Sequence, residues 1–331
     1  MSSKFCVNLI FRKKNEDYSI EKVFKPLIPV FEQKYVIDKC FMPYYKVSLW
    51  AIIYNIWIAF RNKKAINHIT GVMNYCALLL PKKSTIITVH DLNLPGQGLK
   101  KNILMWLFVQ LPVKRAGYIT CITEATKREL LKECPDAAEK TSVIYNPIST
   151  EYVFSNKEFN SQTPRILHVG TRENKNLERV IQALKGIKCH LVIIGQLNEH
   201  QKTLLSDCGV DYSNKYRLSD QEILHEYVLC DIVSFPSLSE GFGMPIIEGQ
   251  AIGRPVLTSN VPPMNEISGD AVVYVDPEDV DSIRQGFTDI INNEQLRQSL
   301  IAKGLDNVKR FEPNRIAREY MDLYSKILSG E

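Results

Sequence analysis

Residues 231–258, DIVSFPSLSEGFGMPIIEGQAIGRPVLT, constrain the fold more than any other stretch. The run DIVSF is β-prone and is stopped by Pro236, which suits a parallel strand that opens into a loop. Gly241 and Gly243 flank Phe242, so the backbone can take positive φ and bring its N–H groups close to a ligand. Pro245 fits the first turn of a helix that runs to about Ile252. Gly253 supplies the stop, and Pro255 opens a β-branched return strand. The helix N-terminus therefore points at the loop and offers amides and partial positive charge to an anion.

At 331 residues the chain suits two domains of about 150 residues each. Hydrophobic residues at 45% and charged ones at 24% are ordinary values for a soluble protein, so nothing argues for disorder or a fibrous repeat. The eight cysteines include no Cys-x-x-Cys pair and read as reduced core residues of a cytosolic protein. Residues 1–11 form one short strand-like run followed by Arg12, Lys13 and Lys14, which is not the pattern of a signal peptide. Two apolar stretches, 47–60 and 103–113, fall short of the roughly 20 residues a bilayer needs. Asn55, Gln110 and Pro112 also interrupt them.

Charge is divided unevenly. Residues 1–150 hold 22 Lys and Arg against 11 Asp and Glu, and the remainder holds 19 against 26. A basic first half, at +11 beside −7, points to an anionic partner such as a membrane surface or a phosphorylated acceptor, with solubility as the plain alternative. Nucleic acid is not the expected partner, since no zinc-knuckle spacing, basic helix or aromatic-interleaved basic strand is present.

Through the first half β-prone runs at 5–11, 66–69, 85–90, 118–122 and 142–145 alternate with helix-like stretches, which implies a parallel sheet covered on both faces. His68 falls at a strand's C-terminal edge and is either a site-lining residue or a satisfied structural one. The run TIITV ends in His90 and Asp91, which places an imidazole and a carboxylate at the sheet's functional edge before the turn-rich LNLPG. His90 is the candidate catalytic group there, with Asp91 orienting the loop or the ring.

Residues 99–111, LKKNILMWLFVQL, have apolar positions at helical spacing, with Lys100 and Lys101 at the start and Lys114 and Arg115 beyond Pro112. Packing inside the domain explains them first, and a lipid-facing surface is the alternative. Residues 151–164 are polar and aperiodic and read as an interdomain linker. RILHVG at 165–170 restarts a strand, and TRENKNL leads into a helix, so a cation again meets a helix start. Ser219 with Glu222 reads as a capping box. The Asp-x-Asp at Asp279 and Asp281 looks like a metal motif, but Pro277 and the acidic cluster are what a helix N-terminus wants.

Glu240 and Glu248, with seven residues between them, frame the glycine loop. Phosphate repels a carboxylate, so their partners should be hydroxyls, and a sugar nucleotide supplies both phosphate and hydroxyls. SEGFGMPIIEGQAIGRPVLTSN, residues 239–260, resembles the signature of the retaining glycosyltransferases of family 4, and the similarity extends from about residue 86 to the C-terminus. The resemblance implies an α/β fold of two Rossmann-like domains facing across a cleft, the GT-B architecture. Residues 1–150 would form the acceptor-side domain, 151–164 the linker and 165–312 the donor domain, with the helix at 313–331 crossing back.

In that family the counterpart of Glu248 binds the donor ribose, that of Glu240 lies against the transferred sugar, and the amides of Gly241, Phe242 and Gly243 reach sugar and diphosphate. Lys175 matches the diphosphate-binding lysine, with Arg172 as the second cation. Arg217 and Leu218 match the backbone that holds the nucleobase, and His90 the histidine that faces the sugar. The Gly-Gly loop by which many members hold the acceptor is replaced here by FRKKNEDY, residues 11–18.

The implied activity is retaining, metal-independent transfer from a UDP- or GDP-linked sugar to an acceptor hydroxyl in polysaccharide, lipopolysaccharide or other glycoconjugate assembly. No cofactor is expected beyond the nucleotide sugar as co-substrate. The expected partners are that donor, a glycan or lipid-linked glycan, and an anionic membrane surface at the inner face of the cell membrane. A sugar-nucleotide epimerase and a non-catalytic sugar-nucleotide-binding subunit are the alternatives.

Overall fold

The computed structural model describes residues 4–12, 19–44, 48–92 and 98–330. The chain forms two compact units, Met1–Ser149 with Glu312–Glu331, and Thr150–Phe311.

The first unit holds a parallel sheet in the order β2-β1-β3-β4-β5-β6. The strands are β1 (Cys6–Phe11), β2 (Val36–Phe41), β3 (Ile66–Ile69), β4 (Thr85–Val89), β5 (Tyr118–Cys121) and β6 (Thr141–Val143). Central strands β1, β3 and β4 are buried on both faces, so β1 and β4 read as largely apolar or β-branched runs, while β3 buries the polar Asn67 and His68. Alternate residues serve opposite layers. Ile10, Ile69 and Ile87 pack beneath the Leu49–Arg61 helix and the turn Asn74–Leu79. Val7, Leu9, Ile66 and Ile86 pack with the final helix, Pro313–Ser329. That helix buries Ile316, Ala317, Tyr320, Tyr324 and Ile327, a single stripe at helical spacing.

Strand β2 lies at the sheet edge, is half exposed and carries Asp38 and Lys39, so its sequence shows no apolar run. The helix beginning at Gly98 does not end at Pro112. It runs as Gly98–Met105, widens into a π-helical turn at Trp106–Gln110 and continues through Leu111–Arg115. A wider turn just upstream relieves the clash between the proline ring and the preceding turn's carbonyl, so the chain continues where a regular helix would break.

The second unit holds β7 (Arg165–Val169), β8 (His190–Ile194), β9 (Tyr212–Lys215), β10 (Ile232–Phe235), β11 (Val256–Ser259) and β12 (Val273–Val275). Their order, β12-β11-β10-β7-β8-β9, is all parallel and doubly wound, and the winding reverses between β7 and β10. The Met244–Ile252 helix comes very close to the sheet. A Cβ on Gly249 would lie 2.8 Å from Val233 Cγ2 and 3.0 Å from Val256 Cγ2.

Residues 151–164 contain no helix or strand, yet they are tied to this unit. Asp231 pairs with Lys157 and accepts from the amides of Asn160 at 3.2 Å and Arg165 at 2.8 Å. The Arg254 guanidinium donates to the carbonyls of Ser155 and Val228, each at 2.8 Å. All eight cysteines are free, and no described helix is long and apolar enough to cross a membrane. Asp279 caps the Val280–Asn292 helix, its side chain accepting from the Asp281 amide at 2.9 Å.

Candidate active site

In a doubly wound sheet the crevice for a ligand opens where the winding reverses, at the carboxyl ends of the flanking strands. In the second unit those are the ends of β7 and β10, and the loops that leave them are joined by a dense set of hydrogen bonds. The Asn174 carbonyl accepts from the Leu238 amide at 2.8 Å. Its Nδ2 donates to the Ser239 carbonyl at 3.0 Å and to Glu240 Oε1 at 3.2 Å. Lys175 Nζ donates to the same Oε1 at 2.7 Å. Asn176, buried and left-handed at φ 62°, donates to the carbonyls of Pro236 at 3.0 Å and Pro277 at 2.7 Å. Lys175 and Glu240 therefore meet across 65 residues of sequence because their strands are neighbours.

Gly170 makes this arrangement possible. Its φ is 100°, and a Cβ there would lie 2.7 Å from Lys175 Cγ. The lysine stem lies back over the bare backbone, and its ammonium sits 4.8 Å from the Phe235 ring centroid. Arg172 opens this turn with its side chain exposed, and among the described residues its guanidinium makes no ion pair.

Gly243 caps the Met244–Ile252 helix from the left-handed region, at φ 116°, with no side chain to satisfy the first amides. Pro in the first turn fixes the helix start, which leaves its partial positive charge toward the Gly241–Gly243 loop. Phe242 is buried edge-on against Phe311, with centroids 5.8 Å apart, so its side chain anchors the loop and only its backbone is offered to a ligand. Glu248, one turn into the helix, accepts a 2.7 Å hydrogen bond from the hydroxyl of fully buried Tyr227. Burial first, and then the Glu248 carboxylate, push the Tyr227 phenol well above its ordinary range, so it stays protonated and acts as donor. Tyr152 packs edge-on against Tyr227, with centroids 5.5 Å apart.

Arg217 is exposed and left-handed at φ 58°, and with Leu218 it immediately precedes the capping box of Ser219 and Glu222. The helix that follows is moored by Glu226, which accepts from Lys215 at 2.5 Å and Arg165 at 2.6 Å. Burial by itself would raise that carboxyl, but the two cations hold it below its usual range.

In the first unit β4 ends at Val89, and His90 Nε2 lies 2.7 Å from the Thr70 carbonyl. A carbonyl only accepts, so Nε2 carries the proton and the tautomer is set. Thr70 is itself held, since its amide and hydroxyl both donate to the Ile10 carbonyl, at 3.1 and 3.0 Å. Val72 follows at φ 59°, a strained position for a β-branched residue. Asp91 is exposed. The rest of the loop after it, at 93–97, and the segment 13–18 that replaces the Gly-Gly loop lie outside the described residues.

His68 is not a lining residue. It is fully buried, its Nδ1 lies 2.7 Å from the Tyr324 hydroxyl and its Nε2 2.7 Å from Thr88 Oγ1. Burial, and then His90, lower its pKa to about 3. It serves to join the final helix to the sheet.

Sequence reasoning passed over Asn174, Asn176 and Tyr227. The first two sit in the TRENKNL run already singled out for its cation, so the signal was there, whereas nothing local marks Tyr227.

Residues 150–306 match the family described as Glycosyl transferases group 1, and residues 29–152 match Glycosyltransferase Family 4. A curated relative, the O-antigen chain mannosyltransferase RfbU of Salmonella typhimurium, is 27% identical over 293 residues, which is 83% of this chain and 79% of the relative. Among solved structures, Anabaena Alr3699/HepE in complex with UDP and glucose is similar with a TM-score of 0.78 at 12% identity, over 97% of this chain and 100% of that one. WaaG, a glycosyltransferase involved in lipopolysaccharide biosynthesis, gives 0.73 at 12% identity, over 97% and 99%. Two doubly wound units with this whole-chain likeness make up the GT-B architecture, and both halves match families of glycosyltransferases. The chain belongs to glycosyltransferase family 4.

Proposed function

We propose that the protein transfers a sugar, with mannose favoured, from a UDP- or GDP-linked donor to a hydroxyl of a glycan or lipid-linked glycan, in O-antigen or related surface polysaccharide assembly. The observation that carries the reading is the joining of the β7 and β10 loops, which sets a cation, a carboxylate and a helix N-terminus together at the switch point of the second unit. Mannose and the polysaccharide context are supported by the relatives' names, that of RfbU above all. The second unit is assigned to the donor and the first to the acceptor.

In the proposed reaction Lys175 and the amides of Gly241, Phe242 and Gly243 take up the charge that grows on the departing diphosphate, the kind of term that usually dominates such sites. No resident metal ion is called on for this. Glu248 holds the ribose, Arg217 and Leu218 the base through their backbone, and Arg172 adds a second cation at the phosphates. Glu240 and His90 hold hydroxyls of the sugar, with Asp91 steadying the His90 loop.

The bond from C1 to the phosphate oxygen breaks with its electron pair going to the diphosphate. The acceptor oxygen then bonds to C1 on the same face, and its proton passes to the leaving phosphate oxygen. The anomeric configuration is retained.

The test is incubation with UDP- and GDP-linked sugars, with and without glycan acceptors, in EDTA, with the product anomer read by NMR. Acceptor-dependent product of the donor's own anomeric configuration is expected. An inverted product would remove the same-face mechanism, loss of activity in EDTA its metal independence, and an isomerised donor without acceptor would make the protein an epimerase. Tight donor binding with no turnover would leave only a binding subunit.

A further inference from the structure

The chain has three tryptophans, and all three are exposed on one side of the first unit: Trp50 at 81%, Trp57 at 47% and Trp106 at 54%. The Leu49–Arg61 helix has two apolar faces. Ala51, Ile52, Asn55 and Ala59 face the core, where Asn55 donates to the Tyr44 carbonyl at 2.8 Å and the Tyr75 hydroxyl at 2.9 Å. Trp50, Ile53, Tyr54 and Trp57 recur at spacings of three and four and are 43–81% exposed. Over the same core the helix that starts at Gly98 exposes Leu99, Ile103 and Trp106. Inside, both helices join one core, in which Tyr75 meets Phe108 edge-on at 5.5 Å.

Cations rim this surface. Arg61 lies 5.6 Å from the Trp57 ring centroid, Lys63 lies 4.0 Å from that of Phe60, and Lys100 and Lys101 begin the second helix. Between Asp38 and Asp91 the sequence has no acidic residue at all. A second copy of the chain would bring like charges together, whereas anionic lipid complements them. Thirteen residues are too few to span a bilayer, so the helix would lie in its plane, aromatic rings at the headgroup level.

We propose that the outward faces of these two helices form an interfacial docking surface for a bilayer containing anionic lipid, the aromatic stripe entering the headgroup boundary and the rim cations meeting lipid phosphates. This deepens the membrane contact expected from the basic half and moves its centre from residues 99–111 to the Leu49–Arg61 helix. Arg115, expected to take part, donates instead to the Leu78 carbonyl at 3.1 Å. Vesicle binding is read without donor or acceptor, so a failure here and a failure of the transfer reading appear in different assays.

The test is flotation with phosphatidylcholine vesicles, with and without about 30 mol% phosphatidylglycerol, at low and high salt. Wild type should float with the anionic vesicles, its tryptophan emission shifting to the blue and being quenched by brominated lipid. A Trp50→Ser, Ile53→Ser, Trp57→Ser variant should lose at least about tenfold in partitioning at either salt with its thermal midpoint kept. An Arg61→Gln, Lys63→Gln, Lys100→Gln, Lys101→Gln variant should lose about tenfold at low salt and match wild type at high salt. The proposal is overturned if wild type stays unbound at low salt, if the aromatic variant floats equally well, or if bound wild type shows neither shift nor quenching. Concentration-dependent dimers that the aromatic variant abolishes, without vesicle binding, would assign the surface to a second copy instead.

Discussion

Replacing Glu240 by glutamine should tighten nucleoside diphosphate binding even as it slows transfer. The Lys175 ammonium lies 2.7 Å from Glu240 Oε1, with side chains only 22% and 13% exposed. Unit charges at that distance attract by about 6 kcal/mol at an effective dielectric of 20. Desolvation, and screening at the partly open side, reduce the net to about 1–2 kcal/mol. A diphosphate that uses Lys175 as its counter-charge has to share the cation with Glu240. Glu240→Gln keeps an oxygen acceptor for Lys175 and Asn174 and removes the competing charge, so affinity should rise by about 5- to 30-fold.

Calorimetric titration of UDP and GDP at constant ionic strength would measure this for wild type, Glu240→Gln, Lys175→Met and the double variant. Lys175→Met should bind at least about tenfold more weakly and lower turnover by about 10²–10³-fold. In its background the glutamine should restore little, because there is no cation left to release. Equal affinity of wild type and Glu240→Gln would refute the competition. An equal gain in both backgrounds would reduce it to simple repulsion between carboxylate and phosphate.

Gly170→Ala puts a Cβ 2.7 Å from Lys175 Cγ at a φ that disfavours side chains, so kcat/KM should fall at least about tenfold; unchanged nucleotide affinity would show that Lys175 is not held as described. Tyr227→Phe removes a buried donor to a carboxylate, worth about 1.5–3 kcal/mol, and should raise the donor KM more than it lowers kcat, with a lower urea midpoint. If neither moves, the 2.7 Å bond has no role in holding Glu248. His68 resists protonation in the fold until about pH 3, whereas the unfolded chain takes up that proton near pH 6.5. Its share of stability is therefore fully present above about pH 6.5 and falls by about 1.4 kcal/mol per pH unit on acidification toward pH 3. Urea unfolding from pH 7 to 5 should show that slope in wild type and a shallower one in His68→Gln, and identical slopes would refute it.

Much of the architecture is settled by forces that act within a few residues, and these are legible in the chain itself. β-prone runs mark β1, β4, β7, β8 and β10, and Pro or Gly bounds the last three. The Ser219–Glu222 box, Pro245 and Gly253 delimit their helices because capping and φ restriction need no distant partner. The spacing of Glu240 and Glu248 around the glycine loop identifies the donor candidates for the same reason. Other features exist only once distant segments meet. Strand β2 has no run of its own and is held by its ladder to β1. Asn174 reaches Ser239 and Glu240, and Tyr227 reaches Glu248, because strand order makes neighbours of residues far apart in sequence. His68 reads alike as lining or core until the final helix brings Tyr324 to its ring. The Leu49–Arg61 helix is apolar all round, and periodicity does not tell a covered face from an open one. Only the packing of the Asn74–Leu79 turn and the sheet against one side of it leaves Trp50 and Trp57 facing outward, because burial belongs to the assembled layers and not to the residue.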